Sequence, residues 1–223
     1  MKYILTLAVI LSVQLGFSQR IIDKNVGNFS TLKVYDLIAV NLIHSNENKV
    51  VIKGKNVDDI EVLNKNGKLK IRMRLEKSFH GEDTFVEVYY TNIDVIDANE
   101  GAKITVNELM KQNTLELRTQ EGAKIKAGLN VNFAKVRAVT GGIIEVSGLA
   151  KSQEITLNTG GIFDGRDLKA KDAKVKITAA GEAELYASNS VDINVKAGGD
   201  VDVYGDPKKV EKKTFAGGRI KIH

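Results

Sequence analysis

Four carboxylates, Glu145, Asp164, Glu184 and Asp202, recur at intervals of 19, 20 and 18 residues. Groups spaced that evenly stack above one another if the chain winds at the same period. The full series runs Thr105, Lys126, Glu145, Asp164, Glu184, Asp202 and Lys221, with Glu182 and Asp200 adding charge two residues earlier. Two residues later in each unit stand Arg166, Tyr186, Tyr204 and His223, which sets two tyrosines and a histidine beside the acidic column. Carboxylates held at strand spacing repel unless water, lysine or a cation neutralises them. Calcium, which accepts several oxygen ligands in loose geometry, is the natural cation for Asp164, Glu184 and Asp202. Tyr186 and Tyr204 offer flat faces to sugar rings, although a chain without tryptophan is a weaker glycan binder. Paired carboxylates also cleave glycosidic bonds, and Asp164, Glu184 and Asp202 would be the choice. An even ladder lacks the unequal environments that separate an acid from a base, so no residue is assigned a catalytic role. The plain alternative is a solvated acidic face that keeps the protein in solution.

Such columns need a repeating scaffold, and the sequence contains one. Gly101-Ala102-Lys103-Ile104-Thr105-Val106 recurs as hexads beginning at Gly122, Gly141, Gly160, Ala180, Gly198 and Gly217. Within each unit apolar residues alternate, as in Ile155/Leu157, Val175/Ile177 and Ile193/Val195 before the small-residue corner and Val201/Val203 or Ile220/Ile222 after it. That is strand periodicity. A further apolar position at Leu109, Leu149 and Leu168 suggests another short inward-facing segment. One coil cannot bury its inward side chains alone, whereas stacked coils share a continuous interior. The expected fold is therefore all-β, a parallel β-helix or β-solenoid of about 20 residues per coil. The rival reading, an antiparallel sandwich or barrel, rarely keeps one corner motif in register seven times, and no long segment sustains a helical period.

Before the clearest repeats, which span 93–222, six segments read as strands: 32–34, 39–43, 49–52, 60–62, 69–73 and 85–89. They lack the small-residue corner and are expected to form irregular coils or a cap over one end of the stack. His80-Gly81-Glu82-Asp83 reads as a surface loop, and Lys208, Lys209, Lys212 and Lys213 as a solvated basic turn after Pro207. Residues 1–18 have the form of a signal peptide, with Lys2, an apolar run from Tyr3 to Leu15 and Ser18 before the cleavage point. That run is shorter than the roughly 20 apolar residues of a spanning helix. Residues 19–223 are then expected to form a single exported domain without a transmembrane segment.

The 223 residues carry a formal charge of +5 with both signs scattered, which gives no basic arm for nucleic acid. Zero cysteines exclude disulfides, a thiolate nucleophile and a cysteine zinc site. Twenty glycines with one proline point to many tight turns between hydrogen-bonded strands. Only His44, His80 and His223 are available as imidazole ligands, and they are dispersed.

The opening Phe29-Ser30-Thr31-Leu32-Lys33-Val34 strand, the Val50-Val51-Ile52-Lys53-Gly54 segment and the serial Gly-Gly and Gly-Ala corners resemble the bacterial head GIN domain family, described as putative autotransporter adhesins. The resemblance covers nearly all of residues 19–223. It implies a right-handed parallel β-helix in an exported or surface-associated protein, located in the periplasm, on the outer surface or outside the cell. It brings no catalytic residues. After the repeats no carboxy-terminal membrane barrel is expected. The leading expectation is a surface or envelope binding protein that presents its ladder, at Glu145, Asp164, Glu184, Asp202, Glu182, Asp200, Tyr186 and Tyr204, to glycans or envelope proteins. A polysaccharide-cleaving enzyme and a purely structural envelope protein are the alternatives.

Overall fold

Period-two alternation of apolar and polar residues makes strands, and in the computed structural model, which describes residues 20–223, it does so along nearly the whole chain. The expected signal peptide lies outside the described residues. Eight short strands come first: β1 (Ile22–Asn25), β2 (Thr31–Val34), β3 (Ala39–His44), β4 (Lys49–Gly54), β5 (Ile60–Lys65), β6 (Lys68–Met73), β7 (Thr84–Tyr90) and β8 (Val95–Ala98). Long strands that turn with the coil follow: β9 (Lys103–Thr119), β10 (Lys124–Val139), β11 (Ile143–Asn158), β12 (Gly161–Ile177) and β13 (Gly181–Ala197). The last coils are β14 (Asp200–Tyr204), β15 (Lys209–Ala216) and β16 (Arg219–Ile222). From β9 onward each strand pairs in parallel with the next coil. The result is a parallel β-solenoid of about seven turns with about 19 residues per turn.

Stacking explains the inward residue types. Ile104, Ile125, Ile144, Phe163, Ala183 and Val201 lie on successive rungs of one column, all buried. Where Phe163 is larger than its neighbours, the next inward residue on its strand is Gly165. Gaps too small for water forfeit contacts, so volume is matched along the interior.

The corner between coils requires its small residues for two separate reasons. Gly160 has a φ of +74°, a left-handed conformation that only glycine adopts without strain, and Thr159 before it shares that region at +50°. Gly161 needs no such φ but has no room for a side chain, because a Cβ there would lie 2.1 Å from the Ala138 carbonyl oxygen on the coil below. Backbone hydrogen bonds cross the corner from Gly141 N–H to Thr159 O and from Gly160 N–H to Ala180 O, so the ladder runs through the turn unbroken.

The amino-terminal segments are both coil and cap. β2 pairs in parallel with β6 and β8, and β3 pairs in parallel with β7 and β9. The coil made by β2 and β3 is therefore enclosed between the β6–β7 coil and the β8–β9 coil, although it comes first in the chain. The antiparallel pairs β1–β4, β4–β7 and β5–β6 close that end.

Two local expectations are corrected. Leu109 and Leu149 are 47% and 56% exposed, and only Leu168 is buried. Unequal coil lengths shift the register there, so the inward column runs through buried Met110, Leu129 and Leu168, with half-buried Gly148 between the two leucines. Lys209, Lys212 and Lys213 belong to strand β15, not to a turn, because Val191, Ile193 and Val195 on β13 supply a ladder for that segment to extend.

Candidate functional site

The acidic column forms as its spacing requires. Strand register places Thr105 beside Lys126, Lys126 beside Glu145, and then Asp164, Glu184, Asp202 and Lys221 in unbroken succession. Asn41 on β3 and Glu87 on β7 extend it into the amino-terminal coils. Successive rungs are about 4.8 Å apart. Asp164 and Glu184 are exposed, and Glu145 and Asp202 are half-buried. Glu182 pairs with Asp200, and Asp200 with Arg219, on the adjoining column.

Basic side chains answer several of these carboxylates. Lys124 Nζ lies 2.5 Å from Glu145 Oε1, Arg219 lies 3.1 Å from Asp200, and His223 Nε2 lies 2.7 Å from Asp202 Oδ1. Among the described residues no three carboxylate or imidazole groups converge closely enough to hold a metal ion. Asp164, Glu184 and Asp202 stand one above another on separate strands.

The aromatic column differs from its expected composition. Tyr186 and Tyr204 are neighbours, but the residue beside Tyr186 on β12 is Lys169, not Arg166. Arg166 belongs to extra residues that β12 inserts between Gly165 and Lys169, where β13 passes directly from Leu185 to Tyr186. The ring faces are occupied within the chain. Lys169 Nζ sits 4.4 Å from the Tyr186 centroid, the Arg166 guanidinium sits 4.2 Å from that of Tyr204, and His223 stacks on Tyr204 at 4.5 Å. Such cation and ring contacts use the π surface that a sugar would need.

The same length differences create a groove that the sequence analysis missed. Between Thr105 and Leu109, β9 carries two residues more than β10 does between Lys126 and Gly128. Between Asp164 and Asp167, β12 carries one more than β11 between Glu145 and Ser147. β10 and β11 thus lie flat between two bulged coils, and bulges of this kind re-aim side chains beside binding sites. The depression has a volume of about 280 Å³ and is lined by Thr105, Lys126, Gly128, Glu145, Ser147, Asp164 and Asp167, with apolar floor from Val106, Ala127 and Val146. It brings an ammonium, three carboxylates and two hydroxyls onto one open, partly apolar surface. The signal lay in the uneven steps of the repeat, 21 residues from Gly101 to Gly122 against 19 for the next two.

A family model described as "Putative auto-transporter adhesin, head GIN domain" matches residues 28–207. Among solved structures, a "putative adhesin" from Bacteroides fragilis is 15% identical with a TM-score of 0.84, covering 93% of this chain and 98% of that one. A "putative adhesin" from Parabacteroides merdae is 14% identical with a TM-score of 0.70, covering 93% and 97%. A "putative lipid binding protein" from Parabacteroides distasonis is 13% identical with a TM-score of 0.68, covering 92% and 98%. At such identities the likeness is one of fold. No curated protein matches the sequence.

Proposed function

The chain belongs to the head GIN domain family, and from that premise we propose that it is an exported surface-binding protein whose groove between the β9 and β12 bulges holds a short segment of glycan. The observation that carries this reading is the convergence of Lys126, Glu145, Ser147 and Asp164 on one depression of about 280 Å³. Sugar hydroxyls need donors and acceptors close together, and carboxylate, ammonium and hydroxyl groups over an apolar floor meet that need. The adhesin description of the family supports surface binding, and no helix among the described residues is long and apolar enough to cross a membrane.

The test is retention of the purified protein on an array of neutral and acidic oligosaccharides, with Lys126→Ala/Asp164→Ala as the variant. Both side chains are exposed, so the variant should fold. Retention of one glycan class that weakens about tenfold or more in the variant supports the reading. No retention, or equal retention by the variant, overturns it. Adjacent Glu145 and Asp164 also have rung spacing compatible with a carboxylate pair for glycoside cleavage. Release of reducing ends from the retained glycan would replace binding by catalysis.

A further inference from the structure

A second column of charge runs along the coils on the other side of the small-residue corner. It begins with Lys70, Lys33, Asp97 and Arg118 on β6, β2, β8 and β9. It continues through Arg137, Thr156, Lys176, Asn194 and Lys213. Because the early members come from separate short strands at irregular intervals, the repeat alone does not reveal them.

The two halves differ in how their charge is used. In the first, Asp97 is 5% exposed and lies 2.6 Å from Lys33 Nζ, while Arg118 makes two bonds to Glu116, which Lys135 also approaches at 3.3 Å. In the second, Arg137, Lys176 and Lys213 are exposed and none is ion-paired among the described residues. They occupy alternate rungs, about twice the 4.8 Å strand spacing apart, with half-buried Thr156 and Asn194 between them as neutral hydrogen-bonding groups. A polar depression of about 430 Å³ opens at the junction, where Lys33, Arg118 and Lys135 are answered by the carboxylates Asp97 and Glu116 and Arg137 and Thr156 complete the far side. Eight residues beyond Arg137, Thr156, Lys176 and Asn194, across the corner, stand Glu145, Asp164, Glu184 and Asp202.

We infer that this column binds a linear anionic polysaccharide laid along the solenoid axis. Alternating cations and neutral hydrogen-bonding residues match a chain whose charges repeat at intervals, and the acidic column around the corner repels such a chain and confines it to this face. A lipid surface fits less well, because the exposed large apolar side chains near the column, Leu63 and Phe215, sit only at its two ends. The cations that would hold the polyanion, Arg137, Lys176 and Lys213, lie outside the groove between the β9 and β12 bulges.

Binding is measured by titration with dextran sulfate, polygalacturonate, neutral dextran and vesicles of phosphatidylglycerol. Both polyanions should bind, neutral dextran should not, and raising salt should weaken binding. Arg137→Ala/Lys176→Ala/Lys213→Ala should bind about tenfold more weakly or worse. A control, Lys111→Ala/Lys151→Ala/Lys171→Ala, removes the same charge from exposed positions on other columns and should stay within about twofold. The groove variant Lys126→Ala/Asp164→Ala should keep polyanion binding, which separates the two readings. Equal losses in both triple variants, retention on vesicles alone, or no polyanion binding each overturn the inference. The single reversal Lys176→Glu provides the same readout should the triple variant fold poorly.

Discussion

A Cβ on Gly165 would lie 2.2 Å from Cζ of Phe163, two residues earlier on the same strand. The ring and the missing side chain share one space in the interior. Phe163→Ala should cost about 3–5 kcal/mol through lost burial and the cavity it leaves, and Gly165→Ala about 1–3 kcal/mol through overpacking. The double variant Phe163→Leu/Gly165→Ala should be less destabilised than the sum of its parts, because the smaller side chain vacates the space the new methyl needs. Urea unfolding of the parent, Phe163→Leu, Gly165→Ala and the double variant measures this, and strict additivity would refute the shared space.

Adjacent glycines at one corner should behave differently. Gly160→Ala adds a methyl with nothing within 4 Å and pays only for a left-handed backbone, about 1 kcal/mol. Gly161→Ala drives a Cβ into the Ala138 carbonyl of the neighbouring coil and should cost about 3 kcal/mol. Equal midpoints in denaturant for the two variants would contradict the close approach of the coils.

Stability should fall in acid partly through Glu116. Burial pushes its carboxyl upward, but the Arg118 guanidinium and Lys135 outweigh this and hold it below the usual carboxylate range. A group with a depressed folded value contributes stability above its unfolded pKa of about 4.3 and loses it as pH falls through the folded value. Glu116→Gln should therefore be less stable than the parent at pH 7, and the difference should shrink as the pH is lowered below about 4. A gap that widens on acidification would reverse the assignment.

Calcium at millimolar concentration should leave the melting temperature unchanged. Lys124, Arg219 and His223 already lie against Glu145, Asp200 and Asp202. Asp164→Asn/Glu184→Gln/Asp202→Asn should be as stable as the parent or more so, since like charges on adjacent rungs repel. A calcium-dependent rise abolished in this variant would make Asp164, Glu184 and Asp202 a cation site.

The coils and the acidic column were legible in sequence because a left-handed corner favours glycine at one position, kept in six of the seven hexads and replaced by Ala180 in the other, and close packing favours a small residue at the next. Once those corners are aligned, Glu145, Asp164, Glu184 and Asp202 fall into register by counting. Counting fails where coils differ in length: Leu149 reads as inward and lies outside, and Arg166 reads as the neighbour of Tyr186 and reaches Tyr204 instead. The groove between the β9 and β12 bulges is made of those same irregularities. Lys33, Asp97 and Arg118 share a column only because β2, β8 and β9 meet in space, which no period in the chain encodes.

The enclosed position of the β2–β3 coil separates the order in which the protein is synthesised from the order in which it can assemble. Residues 31–44 are made early, yet their neighbours on both sides, β6–β7 and β8–β9, lie tens of residues further on. The later coils each need only the segment about one turn behind them, so their loops close over short distances and should zip first. The β2–β3 coil, by contrast, can be paired on both sides only once the chain has been made through β9.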